Sequence, residues 1–111
     1  MSSLSDTTCP SRLDVSVEDG IVLLTVSGHL DARLGEAMGA ATEDAIADDA
    51  RRLDIDLRGV ASFTDEGARA LRACRPSAAG LREGLHYRTG RGAGRQALLA
   101  AHLPSAGIPV T

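Results

Sequence analysis

The sequence predicts a small α/β domain: a mixed sheet of four to five strands, begun by an antiparallel hairpin and otherwise largely parallel, with about three helices. Three observations predict it. Segments whose apolar residues recur every second position alternate with segments where they recur every third and fourth, the pattern of strands separated by single helices. At 111 residues the chain builds one hydrophobic core rather than two. Only 2% of residues are aromatic against 43% apolar, so the core is built from Leu, Val, Ile and Ala and suits close-packed helices better than an aromatic-lined pocket.

Residues 1–11 are rich in Ser and Thr, carry Pro10 and show no period, which reads as a flexible N-terminal tail ahead of a domain spanning 12–111. Leu13, Val15 and Val17 alternate as a strand with one buried face. Asp19-Gly20 supplies a tight turn, and Ile21 to Val26 forms a nearly continuous apolar strand that pairs back on the first. Asp31 stands where it caps the next helix, whose stripe is Leu34, Ala37, Met38, Ala41 and Ala45. Gly35 and Gly39 each weaken that helix by about 1 kcal/mol relative to Ala.

Leu53, Ile55 and Leu57 alternate with Asp54 and Asp56 as a third strand, the acids reading as its solvated face rather than as a metal pair. The strand runs into Thr64-Asp65-Glu66-Gly67, a hydroxyl, two carboxylates and a glycine in succession at the start of a second helix. Thr64 is placed to cap it, and acids in a first turn are favoured by the helix dipole by about 0.3–1 kcal/mol each. Ala68, Leu71 and Cys74, flanked by Ala70 and Ala73, form its buried stripe, and Pro76 is expected to stop it. Leu85 to Thr89 reads as a fourth strand. Gly90 to Gly94 reads as a flexible turn into a helix with Ala97, Leu98 and Ala101, and Gly107 to Val110 as a last edge strand. That turn lacks both the Lys-Ser/Thr of a P-loop and full G-x-G-x-x-G spacing, so Arg91 and Arg95 read as surface charges.

Charge divides along the chain. Residues 1–66 hold 14 acids and 5 Arg, whereas residues 67–111 hold one acid and 7 Arg. Such asymmetry steers a charged protein partner. A net charge of −3 with almost no aromatics argues against nucleic acid. No leader and no apolar run near 18 residues is legible, which implies a cytoplasmic protein with no direct membrane insertion. Cys74 reads as a small core residue, and the scattered His29, His86 and His102 offer no metal spacing with Cys9 or Cys74. No nucleophile pairs in sequence with a plausible base, and nothing calls for a cofactor.

Two local motifs, in this order and spacing, resemble the STAS domain, the fold named for sulfate transporters and anti-sigma-factor antagonists. Val26-Ser27-Gly28-His29-Leu30-Asp31 is similar to that family's apolar-x-Gly-x-Leu-Asp, and Asp56-Leu57-Arg58-Gly59-Val60 leads into a helix start as its third strand does. The resemblance spans about residues 12–107. It implies a regulatory binding protein, not an enzyme, which engages an anti-sigma factor that is also a serine kinase. In the family's stand-alone antagonists the third strand leads into Asp-Ser-Ser/Thr-Gly-Leu, whose first serine is the phosphorylation switch.

Here the chain departs from that pattern. Aligning Gly67 with the motif glycine puts Asp65 at the phosphoserine position; aligning Phe63 with the preceding aromatic and deleting one residue puts Glu66 there. Either way an acid replaces the acceptor. A phosphoserine carries about −1.5 to −2 charges, which two adjacent carboxylates approach. Two consequences are open: the acids imitate the phosphorylated form, or the partner has adapted to an acidic surface. Thr64 and Ser62 remain as hydroxyls that could be phosphorylated, Thr64 reading first as a cap. The implied partner edge comprises Asp31, Thr64, Asp65, Glu66, Gly67 and Arg69. The alternative implication is a STAS module in a membrane-transport or stress-signalling complex, or a small-ligand sensor.

Overall fold

The computed structural model describes residues 11–102. Four strands, β1 (Arg12–Glu18), β2 (Ile21–Leu30), β3 (Arg52–Phe63) and β4 (Leu85–Arg88), form one sheet in the order β1-β2-β3-β4. β1 and β2 pair antiparallel, and β2, β3 and β4 run parallel. The described residues also form three helices, α1 (Ala32–Ala47), α2 (Asp65–Ala78) and α3 (Ala93–His102). The expected mixed sheet and three helices are present. The expected strand at Gly107–Val110 and the tail, apart from Ser11, lie outside the described residues.

Right-handed crossovers between parallel neighbours put α1 and α2 on one face of the sheet. The alternation of β2 follows from this: Val22, Leu24, Val26 and Leu30 are buried beneath the helices, while Ile21, Leu23, Thr25 and Ser27 are half-buried on the open face. Leu53, Ile55 and Leu57 of β3 join them, together with Met38, Leu71 and Cys74 from the helices. Each fully buried side chain of Leu, Ile or Met size contributes about 1.5–3 kcal/mol. Tyr87 of β4 closes the sheet against α2, its hydroxyl donating to the Leu71 carbonyl at 3.0 Å, and burial pushes its pKa up to about 12.

Asp54 and Asp56 are not solvated. Asp54 is 1% exposed and Asp56 7%, because guanidinium groups lie across them on the open face. Arg52 grips Asp54 with two hydrogen bonds of 2.9 and 3.0 Å, Arg88 adds one of 3.1 Å, and Arg58 grips Asp56 at 3.0 and 2.7 Å. Burial pushes the Asp54 carboxyl up, but the two arginines outweigh it and leave it below the ordinary range; the Arg58 hydrogen bond does the same for Asp56. The signal was present, since Arg52, Asp54, Asp56 and Arg58 alternate along one strand. A buried carboxylate must be paired, and these residues supply the pairing locally.

Three smaller expectations also change. β1 has no buried face: Leu13 is half-buried, and Val15 and Val17 are exposed, because β1 lies at the edge of the sheet. α2 continues through Pro76 to Ala78. The proline falls in the last turn, where the bond it forfeits is to the carbonyl of Arg72 and both residues are exposed. Ala37 is exposed, and the buried stripe of α1 instead takes in Gly35 and Thr42, because α1 packs against α2 as well as against β2.

Candidate functional site

The parallel strands β2 and β3 end side by side, and each delivers the chain into a helix. At the first join Asp31 adopts an extended conformation, and its carboxylate accepts from the Leu34 amide at 3.0 Å. That hydrogen bond, with the nearby His29, holds its carboxyl below the ordinary carboxylate range despite partial desolvation. At the second join Thr64 is likewise extended, and its hydroxyl accepts from the Gly67 amide at 3.1 Å. Both caps satisfy an amide that would otherwise lack a partner in the first turn.

The joins are also locked to each other. The Thr64 amide donates to the Leu30 carbonyl at 2.9 Å, and the backbone of Gly67 lies against that same carbonyl so closely that a Cβ would overlap it. One turn further on, a Cβ on Gly35 would stand 2.6 Å from that of Ala70, so α1 and α2 touch there. A groove of about 390 Å³ runs between the helices along this contact, lined by Gly39, Thr42, Ala73 and Cys74, with Glu36, Glu43, Glu66 and Arg69 along it. Thr42 donates to the Met38 carbonyl at 2.8 Å and lies 3.5 Å from the Cys74 sulfur, and burial pushes that thiol up.

The sequence-derived residues divide in two. Asp31, Thr64 and Gly67 are spent on building the joins. Asp65 and Glu66, the first two residues of α2, are exposed, as is Arg69. Among the described residues neither carboxylate has a hydrogen-bond or ion-pair partner. Ser62 is exposed at the end of β3 and faces His29, whose Nδ1 is 2.6 Å from its hydroxyl oxygen. Sequence reasoning missed this pair, because the two residues meet only through the β2–β3 register, which shifts at Gly28. Gly28 has φ +85, open to glycine and costly for other residues. No group of three or more His, Cys, Asp or Glu among the described residues is placed to hold a metal, and no described helix is long and apolar enough to cross a membrane.

No family model and no curated protein matches the chain. Solved structures do. An anti-sigma factor antagonist from Mycobacterium paratuberculosis superposes with a TM-score of 0.64 at 26% identity, over 78% of this chain and 74% of that one. The domain has a STAS-like fold. The anti-sigma factor antagonist SpoIIAA, in its unphosphorylated form, matches this STAS-like domain with a TM-score of 0.57 at 13% identity, over 80% of this chain and 94% of its own. Mglu matches over 70% of this chain and 19% of its own, with a TM-score of 0.56 at 23% identity. The resemblance carried by the Val26–Asp31 and Asp56–Val60 motifs thus extends to the fold.

Proposed function

We propose that this chain is a non-enzymatic regulatory domain of the anti-sigma factor antagonist type, acting in the cytoplasm and binding an anti-sigma factor of serine-kinase character. The observation that supports this most directly is the likeness to the Mycobacterium paratuberculosis antagonist. Asp65 takes the place of the phosphoserine, with Glu66 as the alternative. Asp31, Thr64, Asp65, Glu66, Gly67 and Arg69 make up the partner edge. Within it Asp31, Thr64 and Gly67 are positioning residues, while Asp65, Glu66 and Arg69 present charge to the partner. A partner arginine fits such a pair of carboxylates through charge-assisted hydrogen bonds. Phosphate on Thr64 or Ser62 would first displace a hydrogen bond, to Gly67 in one case and His29 in the other.

The edge continues into the α1–α2 groove. Gly39 costs α1 about 1 kcal/mol of helix propensity, yet a Cβ there would meet nothing within 4 Å. Close approach of a partner's side chains gives that glycine a purpose.

Mixing the chain with its cognate anti-sigma factor tests the reading: a complex forms with and without ATP, and no phosphate enters the chain. Absence of association under both conditions overturns it. Asp65→Ser, incubated with the same kinase and ATP, takes up phosphate. If it stays unlabelled while a known antagonist is labelled in parallel, the acceptor position is wrong and Glu66→Ser becomes the variant to label.

A further inference from the structure

The sheet has two edges of different character. β4 is four residues long and half-buried in alternation, a short edge that offers little to pair with. β1 is seven residues long, contains no Pro, and pairs with β2 in unbroken register. Among the described residues its outer side carries no neighbouring strand. Val15 and Val17 on this edge are 53% and 67% exposed.

The hairpin determines which backbone groups of β1 are free. Asp19 and Gly20, at φ 55 and 79, form a two-residue turn that closes on the Glu18–Ile21 pair. Such a turn closes on a hydrogen-bonded pair, so Glu18, Ser16, Asp14 and Arg12 direct their amides and carbonyls to β2. Leu13, Val15 and Val17 therefore turn theirs outward.

We propose that β1 pairs with β1 of a second copy of this chain, antiparallel, about a two-fold axis at Val15. In that register Val15 faces Val15 of the partner subunit, and Leu13 faces Val17 of the partner subunit. About six backbone hydrogen bonds form, all from the outward-turned residues. On the opposite face of the strand Arg12 stands across from Glu18 of the partner subunit, twice by symmetry, and Asp14 across from Ser16 of the partner subunit. Arg12 already pairs with Asp14 within the chain at 3.2 Å, so its guanidinium joins two carboxylates.

The adjacent allowed registers, two residues away, are worse. One sets Asp14 against Asp14 of the partner subunit, the other sets Asp14 against Glu18 of the partner subunit, and both lose hydrogen bonds; like charges directly opposite destabilise a sheet. The edge is self-complementary in one register. Pairing there extends the sheet across both copies and leaves the heads of α1 and α2 uncovered on each, so the dimer is bivalent toward any partner of those helices.

Sedimentation of the full chain at rising concentration tests the proposal, with circular dichroism confirming the fold of each variant. The wild-type chain associates to a dimer. Glu18→Arg weakens the dimer roughly tenfold or more, and Arg12→Glu combined with Glu18→Arg restores it. In a Cys9→Ser background Val15→Cys forms an intermolecular disulfide on mild oxidation, since facing Cα atoms about 5.5 Å apart suit one, whereas Val17→Cys does not. A chain that stays monomeric at millimolar concentration, a dimer that Glu18→Arg leaves intact, or equal cross-linking at positions 15 and 17 each overturns the proposal.

Discussion

At the head of α1 the capping group is the Asp31 carboxylate, and no acid follows it in the first turn; at the head of α2 it is the neutral Thr64 hydroxyl, and Asp65 and Glu66 follow. The first join spends its negative charge on its own Leu34 amide. The second satisfies its amide with a neutral group and leaves two carboxylates directed at solvent. Both meet the same demand of a helix N-terminus, so stability alone accounts for Asp31 and Thr64. It asks much less of Asp65 and Glu66, whose interaction with the helix dipole is small and screened. The difference separates charge that builds the fold from charge available to a partner.

The largest expected effect comes where the joins press on each other. Gly67→Ala drives a Cβ into the Leu30 carbonyl, and since backbone stands in its way the structure loses about 3 kcal/mol or more, measured by urea denaturation. A loss under about 1 kcal/mol would mean the joins are not locked. Gly39→Ala, on the neighbouring helix, meets open space and gains about 1 kcal/mol. Gly39→Leu keeps the fold by the same argument but fills the groove, so it weakens binding of the proposed anti-sigma factor partner in a calorimetric titration; unchanged affinity would confine that partner to the helix heads.

The caps come next. Thr64→Ala costs about 1 kcal/mol, equally at pH 7 and pH 3, because a hydroxyl does not titrate. Asp31→Ala lowers the melting temperature at pH 7 and much less at acid pH. The sign follows from the depressed carboxyl of Asp31: its contribution is complete above the ordinary value of 3.8 and disappears as pH falls through the lower folded value. Equal pH profiles for the two variants would show that the joins are not chemically distinct. The smallest effect on stability belongs to Asp65→Asn and Glu66→Gln, under about 1 kcal/mol each. The same substitutions change affinity for the proposed anti-sigma factor partner, and their salt dependence reads the charge contacted.

Much of the candidate site was legible because it is local. A cap, its amide acceptor and the acids of the first turn lie within four residues, so Thr64, Asp31 and the exposed pair Asp65-Glu66 follow from short-range rules. His29 and Ser62 were not legible as a pair, since 33 residues separate them and a register shift at Gly28 brings them opposite. Nor could Gly35 be told from Gly39: the two look alike in sequence, and only the position of Ala70 makes one a necessary contact and the other a gap.

The order of elements from β1 to α3, the hairpin turn, the caps and the alternation that buries Leu53, Ile55 and Leu57 could be read from the residues in order, because each depends on periodicity or on neighbours a few residues away. Tertiary structure decided that Asp54 and Asp56 are buried, that Arg88 of β4 reaches Asp54, and that α2 passes through Pro76. It also decided that Leu30 becomes the contact point of both joins. Burial depends on which strand lies in the middle of a sheet and what crosses it, and strand pairing brings together residues that no local pattern relates.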